Sequence, residues 1–309
     1  MHEPVLCAEI LQLLVHENKR ILLAKENKEL NCRYFDGTVG VGGHAAAVAK
    51  ALVEMELKAW VVAVDRDENM LNIARQTLHH FPTKNVQLEF HYGRYDEFAD
   101  WVAPQSVDIM LLDLGFNSLQ IDNKDRGFSF REEGPLDMRY DVSSGQSLLE
   151  VLHQLTEAEL SDVIYELGEE RQARRIARYI KENLEAGNLN NTTDLANCVR
   201  RASGQKGYWR IDPATRTFQA LRMWVNHEMD HLQKFLENFT RFLAPGGRIG
   251  IISFHSIEDR YVKQRFRALS QEDDFRLLTK KPLIAGDAEM HSNPRARSAK
   301  LRVLEKNLP

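Results

Sequence analysis

Cysteine is scarce in this chain. The three thiols, Cys7, Cys32 and Cys198, stand far apart with no CxxC spacing. That excludes a disulfide framework, gives no reason to expect a metal site, and fits a reducing, cytoplasmic setting. Long apolar runs are also missing. The longest, such as IMLLDL and IGIISF, fall far short of the roughly 20 residues that span a bilayer, so no membrane association is expected. The opening MHEPVLCAEILQLL has acidic residues early and no basic segment before an apolar run. It reads as neither a signal nor a transit peptide. There is no internal repeat and no low-complexity stretch. What remains is the composition of a well-cored protein, 43% hydrophobic and 28% charged over 309 residues, enough for one large domain or two smaller ones.

A surplus of positive charge is absent too. The net charge is −4, which argues against a wholesale nucleic-acid coat, but charge acts locally. EERQARRIARYIK (169–181) carries five basic and two acidic residues, and NPRARSAKLRVLEK (293–306) five basic and one acidic. Clusters of this kind can neutralise phosphates. A solvated helix face and an ordinary basic tail explain them equally well.

The first part of the chain alternates strand-like and helix-like blocks. RYFDGTVG, AWVVAVDRD, VQLEFHYG and VDIMLLDLG read as strands, separated by HAAAVAKALVEME and ENMLNIARQTLHHF at helical spacing. Near-continuous apolar strands with helical crossovers predict an α/β fold with a doubly wound, parallel sheet covered on both faces. The alternation then stops. Residues 122–146 are polar and punctuated by glycine and proline, and 147–203 read as consecutive helices. Thr156 with Glu159 predicts a capping box, and Thr192 or Thr193 a cap for the fourth of these helices. The expected organisation is therefore a discontinuous α/β domain, 1–121 and 214–309, carrying an inserted all-helical domain at 122–213.

DGTVGVGGH (36–44) follows a strand and opens a helix, with four glycines in seven residues. Such a loop allows tight turns and close backbone approach to a ligand at the carboxyl end of the first strand. Its spacing is not GxGxxG, so a pyrophosphate cradle is not the natural reading. Asp65 ends the second strand, 22 residues after Gly43, where an acid can accept from both hydroxyls of an adenosine ribose. NAD and S-adenosylmethionine both satisfy this pattern. Asp113 at the end of the fourth strand, the lead-in LAPGGR before the last buried strand, and the lack of a Tyr-x-x-x-Lys pair favour the second.

Ten blocks in order carry a closer likeness: HEPVL (2–6), DGTVGVGGH, DLGFNSLQID (113–122), RGFSF (126–130), GPLDMRYD (134–141), GEER (168–171), PATRTFQALR (213–222), PGGR, ISFHSIEDR (252–260) and NPRARSAKLR (293–302). With these the chain resembles the RsmH (MraW) family of 16S rRNA cytosine-N4 methyltransferases nearly end to end. The resemblance implies a Rossmann-like methyltransferase sheet, S-adenosyl-L-methionine as cofactor, and 16S rRNA, within the small ribosomal subunit, as partner, at the decoding region; a homodimer stays open. It implies cofactor contacts at Gly42, Gly43, His44, Asp65, Tyr95, Asp113 and Gln120. Phe116, Asn117 and Leu119 depart from the family's usual Val, Ser and Pro; Asp212 replaces a usual His and Leu167 a usual Tyr. A catalytically idle RNA-binding assembly factor on the same fold is the alternative.

Methyl transfer to an exocyclic amine is mainly a positioning task, because the sulfonium methyl is already activated. A cytosine N4 lone pair is conjugated into its ring, so an acceptor beside the amine would stabilise the charge that develops. Asp113 is the first candidate. His255 in SFHS could orient the base or take its proton, and Asp137, with Arg139 beside it, could line the base pocket or form a loop-fixing pair. Phe128 and Phe130 could sandwich a flipped base or anchor the insertion. RNA backbone binding falls to Arg171, Arg174, Arg175, Arg178, Arg200, Arg201, Lys206 and Arg210, with Tyr208 and Trp209 among them for stacking.

Overall fold

The computed structural model describes residues 4–27, 31–81, 84–204 and 212–309. Seven strands form one sheet: β1 (Asn31–Asp36), β2 (Lys58–Asp65), β3 (Val86–Tyr92), β4 (Val107–Asp113), β5 (Leu243–Ser253), β6 (Phe275–Leu277) and β7 (Lys300–Lys306). The α-helices in chain order are α1 (Cys7–Ile10), α2 (Lys19–Asn27), α3 (Gly43–Glu54), α4 (Glu68–Leu78), α5 (Ser118–Asp122), α6 (Leu148–Gln154) and α7 (Glu157–Gly168). They continue with α8 (Ala173–Glu185), α9 (Thr192–Ser203), α10 (Ala214–Val225), α11 (Glu228–Asn238), α12 (Ser256–Leu269) and α13 (Asp287–Ser292). No helix among the described residues is long and apolar enough to cross a membrane.

The chain divides into two compact units, 1–115 with 230–309, and 116–229. The first holds the sheet, in the order β3-β2-β1-β4-β5-β7-β6. β1 to β5 pair in parallel, while β7 runs antiparallel to both β5 and β6. That antiparallel strand is not legible in the alternation pattern, because an apolar run shows that a strand is buried but not which way it runs. Val107 to Leu112 of β4 are buried on both faces, as a central parallel strand requires. The strand order reverses between β1 and β4. In a doubly wound sheet the crevice outside the carboxyl ends at such a reversal is where ligands bind, and Asp36 and Asp113 stand at those two ends.

The second unit is helical, with its own core that includes Leu148, Leu160, Ile164, Ile176, Ile180, Leu195, Val199 and Phe218. In α8 the buried positions Ala173, Ile176, Ala177 and Ile180 follow a helical stripe, leaving the arginines between them outside. The Thr156–Glu159 capping box forms. α9, however, is capped by Asn191, whose side chain accepts from the Asp194 N–H; Thr192 instead accepts from the Gly134 N–H and donates to the Glu132 carbonyl. The unit also reaches further than 122–213. α10 buries Ala214, Phe218 and Leu221 in the helical core, and the Asn226 carboxamide binds the backbone of Met138 and Tyr140. At the other end Phe116 stacks on Phe128. Apolar stripes show that a helix is buried, but not in which core.

Candidate active site

The glycine loop turns out of β1 against neighbouring strands. The Gly37 N–H donates to the Leu111 carbonyl and the Val39 N–H to that of Val64. A Cβ on Gly37 would lie 2.4 Å from Leu112 Cδ2 and 2.8 Å from Tyr95 Cβ, so only glycine fits this close approach. Gly42 takes φ of 87° and starts α3 with no side-chain cap, leaving first-turn N–H groups for another acceptor.

Three strand-end acids surround this loop. Asp36, 1% exposed, accepts from Tyr34 Oη at 2.7 Å and from the Thr38 N–H at 3.2 Å; burial pushes its pKa up to about 6. Asp65 accepts from the Gly40 and Asp67 N–H groups, each at 2.8 Å. Burial raises it to about 6, against those hydrogen bonds. Each Asp65 oxygen retains acceptor capacity for a hydroxyl. Asp113 differs. Its N–H donates to Thr38 Oγ1 at 2.6 Å, but its buried Oδ1 has no hydrogen-bond partner among the described residues. Burial, then the Glu258 carboxylate, pushes Asp113 up to about 7. A polar atom left without a partner costs free energy unless a ligand completes it.

His44 is engaged by the protein through both ring nitrogens. It is buried, its Nε2 is 2.8 Å from the Val5 carbonyl, and its Nδ1 is 3.8 Å from Asp113 Oδ2. Tyr95 is half-buried, its ring edge-on to Phe235. Behind it Asp96 is gripped by His231, Lys234 and Arg94. Those partners outweigh burial and hold the Asp96 carboxyl well below the usual carboxylate range.

His255 caps α12. Its Nδ1 accepts from the Glu258 N–H at 3.3 Å, and its Nε2 lies 3.0 Å from Glu258 Oε1 without a hydrogen bond to it. With Nδ1 an acceptor, the neutral ring carries its proton on Nε2. Nδ1 is thus engaged as the cap of α12.

In the helical unit several of the expected site residues have partners within the chain. Asp137 is bound twice by the Arg139 guanidinium, at 2.9 and 2.7 Å, and once by the Arg139 N–H. Although burial opposes it, those hydrogen bonds lower the Asp137 pKa, and the pair ties the loop to itself. Phe128 packs against Phe116 and Tyr140, and Phe130 against Phe218, as the anchor of the unit. Gln120 is buried, and its carbonyl oxygen accepts from the Asn117 N–H within a capping box. Arg200 pairs with Asp212, with a shortest contact of 2.7 Å, and with Asn197, so the Asp at 212 has an intramolecular partner. Arg171, Arg174, Arg175, Arg178 and Arg201 are exposed, with Arg178 3.8 Å from Glu182. Lys206, Tyr208, Trp209 and Arg210 lie outside the described residues. Near the C-terminus Arg302 is held by Asp259, so that basic run is less free than its composition suggests.

Sequence reasoning missed Asp36, Thr38, Val5 and Glu258. Asp36 carried a signal, since it ends its strand as Asp65 and Asp113 do. Glu258 carried a weaker one, three residues beyond a strand-end His. The role of Val5 depends on a distant backbone carbonyl and leaves no trace in the residue types.

The donor set suits a cationic nucleoside: an acid for a ribose diol, and acids but few cations around the loop. A reversed sheet with a glycine loop, strand-end acids and an antiparallel β7 defines a Rossmann-like methyltransferase, and its cofactor is S-adenosyl-L-methionine. The profile described as the MraW methylase family matches residues 1–307, and the chain belongs to that family. Among its relatives, the ribosomal RNA small subunit methyltransferase H of Sorangium cellulosum is 47% identical over 273 residues, 87% of this chain and 83% of that protein. The proteins of the same name from Acidobacterium capsulatum and Trichodesmium erythraeum are 41% identical over 294 residues and 42% over 308, covering 93% and 99% of this chain and 97% and 99% of their own.

Proposed function

We propose that the protein methylates 16S ribosomal RNA at the N4 amine of a cytidine in the decoding region, acting in the cytoplasm on RNA within the small ribosomal subunit. The carrying observation is Asp113, a strand-end carboxyl at the sheet reversal with a buried, unpartnered oxygen. The relatives' names supply the RNA class. The bound cofactor would supply an activated methyl group, held by the amides of Gly42 and Gly43, the carboxylate of Asp65 and the ring of Tyr95. The ionised Asp113 accepts a hydrogen bond from the target amine at Oδ1, concentrates its lone pair toward the reaction axis, stabilises the positive charge that develops, and takes the proton that the methylated amine then loses. Arg171, Arg174, Arg175, Arg178 and Arg201 give the helical unit an exposed basic surface for phosphates.

The deciding experiment incubates the protein with tritiated cofactor and separated ribosomal subunits, then maps the label. Label on a small-subunit cytidine as N4-methylcytidine is the expected outcome. Label elsewhere, or cofactor bound without transfer, refutes the assignment; the latter points to the idle assembly factor.

A further inference from the structure

We propose that His44 is a positioning residue for Asp113: its bare Nδ1 faces Oδ2, holds the carboxyl proton there while Asp113 is protonated, and so sets the pH at which Asp113 ionises to the carboxylate whose Oδ1 meets the target amine. This deepens, and rests on, the reading of Asp113 given above.

The ring's orientation carries the argument. A backbone carbonyl can only accept, so the 2.8 Å contact with Val5 places the His44 proton on Nε2. Burial lowers the His44 pKa and keeps the ring neutral. Nδ1 is then a bare acceptor, facing Asp113 Oδ2 at 3.8 Å, about 1 Å beyond hydrogen-bond length. Two lone pairs facing each other in a low-dielectric setting repel, and a proton between them turns repulsion into attraction. The same proton on Oδ1 would find no acceptor among the described residues. The carboxyl is therefore two-sided, with a proton-holding oxygen toward α3 and a bare one on the other side.

The surroundings fix this arrangement. From β1 and its loop, Tyr34, Asp36 and Thr38 face the pair: Tyr34 Oη donates to Asp36, and Thr38 Oγ1 accepts the Asp113 N–H. Glu258 of α12 acts on Asp113 electrostatically, and Cys7 of α1 acts on Tyr34. Glu289 of α13 acts on His44 and binds the Leu6 N–H. His44 thus couples the chain's first described residues to the acid at the sheet reversal, a use of its side chain separate from any cofactor contact made by its backbone.

Two substitutions separate the imidazole's two contacts. His44→Gln keeps a donor for Val5 and loses Nδ1; His44→Asn does the reverse. The Asp113 carboxyl, assigned by its loss in Asp113→Asn, is titrated by carbon-13 NMR in the cofactor-free protein, and the His44 tautomer is read by nitrogen-15 NMR. The wild type should show the Nε2–H ring. His44→Gln should lower the Asp113 midpoint by about 0.5–1 pH unit, because the protonated carboxyl loses its acceptor, and the acid limb of kcat should move by the same amount. His44→Asn should disturb Asp113 less and cost more stability. An Nδ1–H ring in the wild type, or an unchanged Asp113 midpoint in His44→Gln, overturns the proposal; the wild-type tautomer decides alone if that variant does not fold. A wild-type rate for Asp113→Asn at saturating cofactor would sink the underlying reading while leaving the titration to judge the pair.

Discussion

Replacing Asp113 by asparagine separates its two candidate duties. Asparagine keeps the size and one acceptor oxygen but removes the charge. A carboxyl raised to about 7 is about nine-tenths ionised at pH 8, so the wild-type rate should rise between pH 6 and pH 8 and the variant's should not. Losing a charged acceptor beside developing positive charge costs on the order of 2.7 kcal/mol of barrier, about a hundredfold in rate. The fold should not suffer. Burial holds the carboxyl at about 7, so its charge opposes folding at pH 8, and the neutral amide removes that cost. The expected result is a variant as stable as the wild type or more so, about a hundredfold slower in single-turnover methylation at saturating cofactor, with a flat pH profile. A rate within threefold of the wild type would reduce Asp113 to a binding residue; a large loss of melting temperature would refute the electrostatic account of its pKa.

Asp65→Ala should weaken S-adenosyl-L-methionine binding at least tenfold, a loss of roughly 1.5–3 kcal/mol for a charged acceptor, and calorimetry on the folded variant checks it. Replacing Arg174, Arg175 and Arg178 together should weaken RNA binding and flatten its salt dependence while sparing cofactor affinity; an unchanged salt slope would move the RNA surface elsewhere. Gly37→Ala drives a methyl group to 2.4 Å from Leu112 Cδ2 and should cost about 1–3 kcal/mol, read as a lower melting temperature.

Much of the sheet was legible because β1, β2 and β4 are apolar runs ending in acids, a pattern that places ligand-facing carboxylates and buried strands at once. The glycine loop was legible because close backbone approach leaves a residue-type signature. Catalytic assignment was less so. His255 and Asp137 have the right chemistry, but their free lone pairs are decided by partners two or three residues away, Arg139 and the Glu258 N–H. Arg200 reads as a phosphate contact, and its pairing with Asp212, twelve residues on, leaves no trace in the composition. Composition reports what a side chain can do, and partners decide what remains for it to do.

The same partners divide the chain's acids into two groups with opposite effects on stability. Asp96, Asp137 and Asp212 have lowered pKa values in the folded state, so they stabilise the fold above pH 4 and lose that contribution as pH falls through their folded values. Asp36, Asp65 and Asp113 are raised to about 6, about 6 and about 7. Between pH 4 and pH 7 the native state holds protons on them that the unfolded chain has released, so stability from these three falls as pH rises through that window. The acids that brace the structure and the acids at the strand ends are thus different residues, and the second set is costly without a ligand. A cationic ligand beside them favours their ionised forms. S-adenosyl-L-methionine should therefore bind more tightly at pH 8 than at pH 6 and release protons on binding at pH 6. Calorimetry in two buffers of different ionisation enthalpy measures that release directly. Binding that neither releases protons at pH 6 nor tightens with pH would mean that the strand-end acids do not face the cofactor's positive charge.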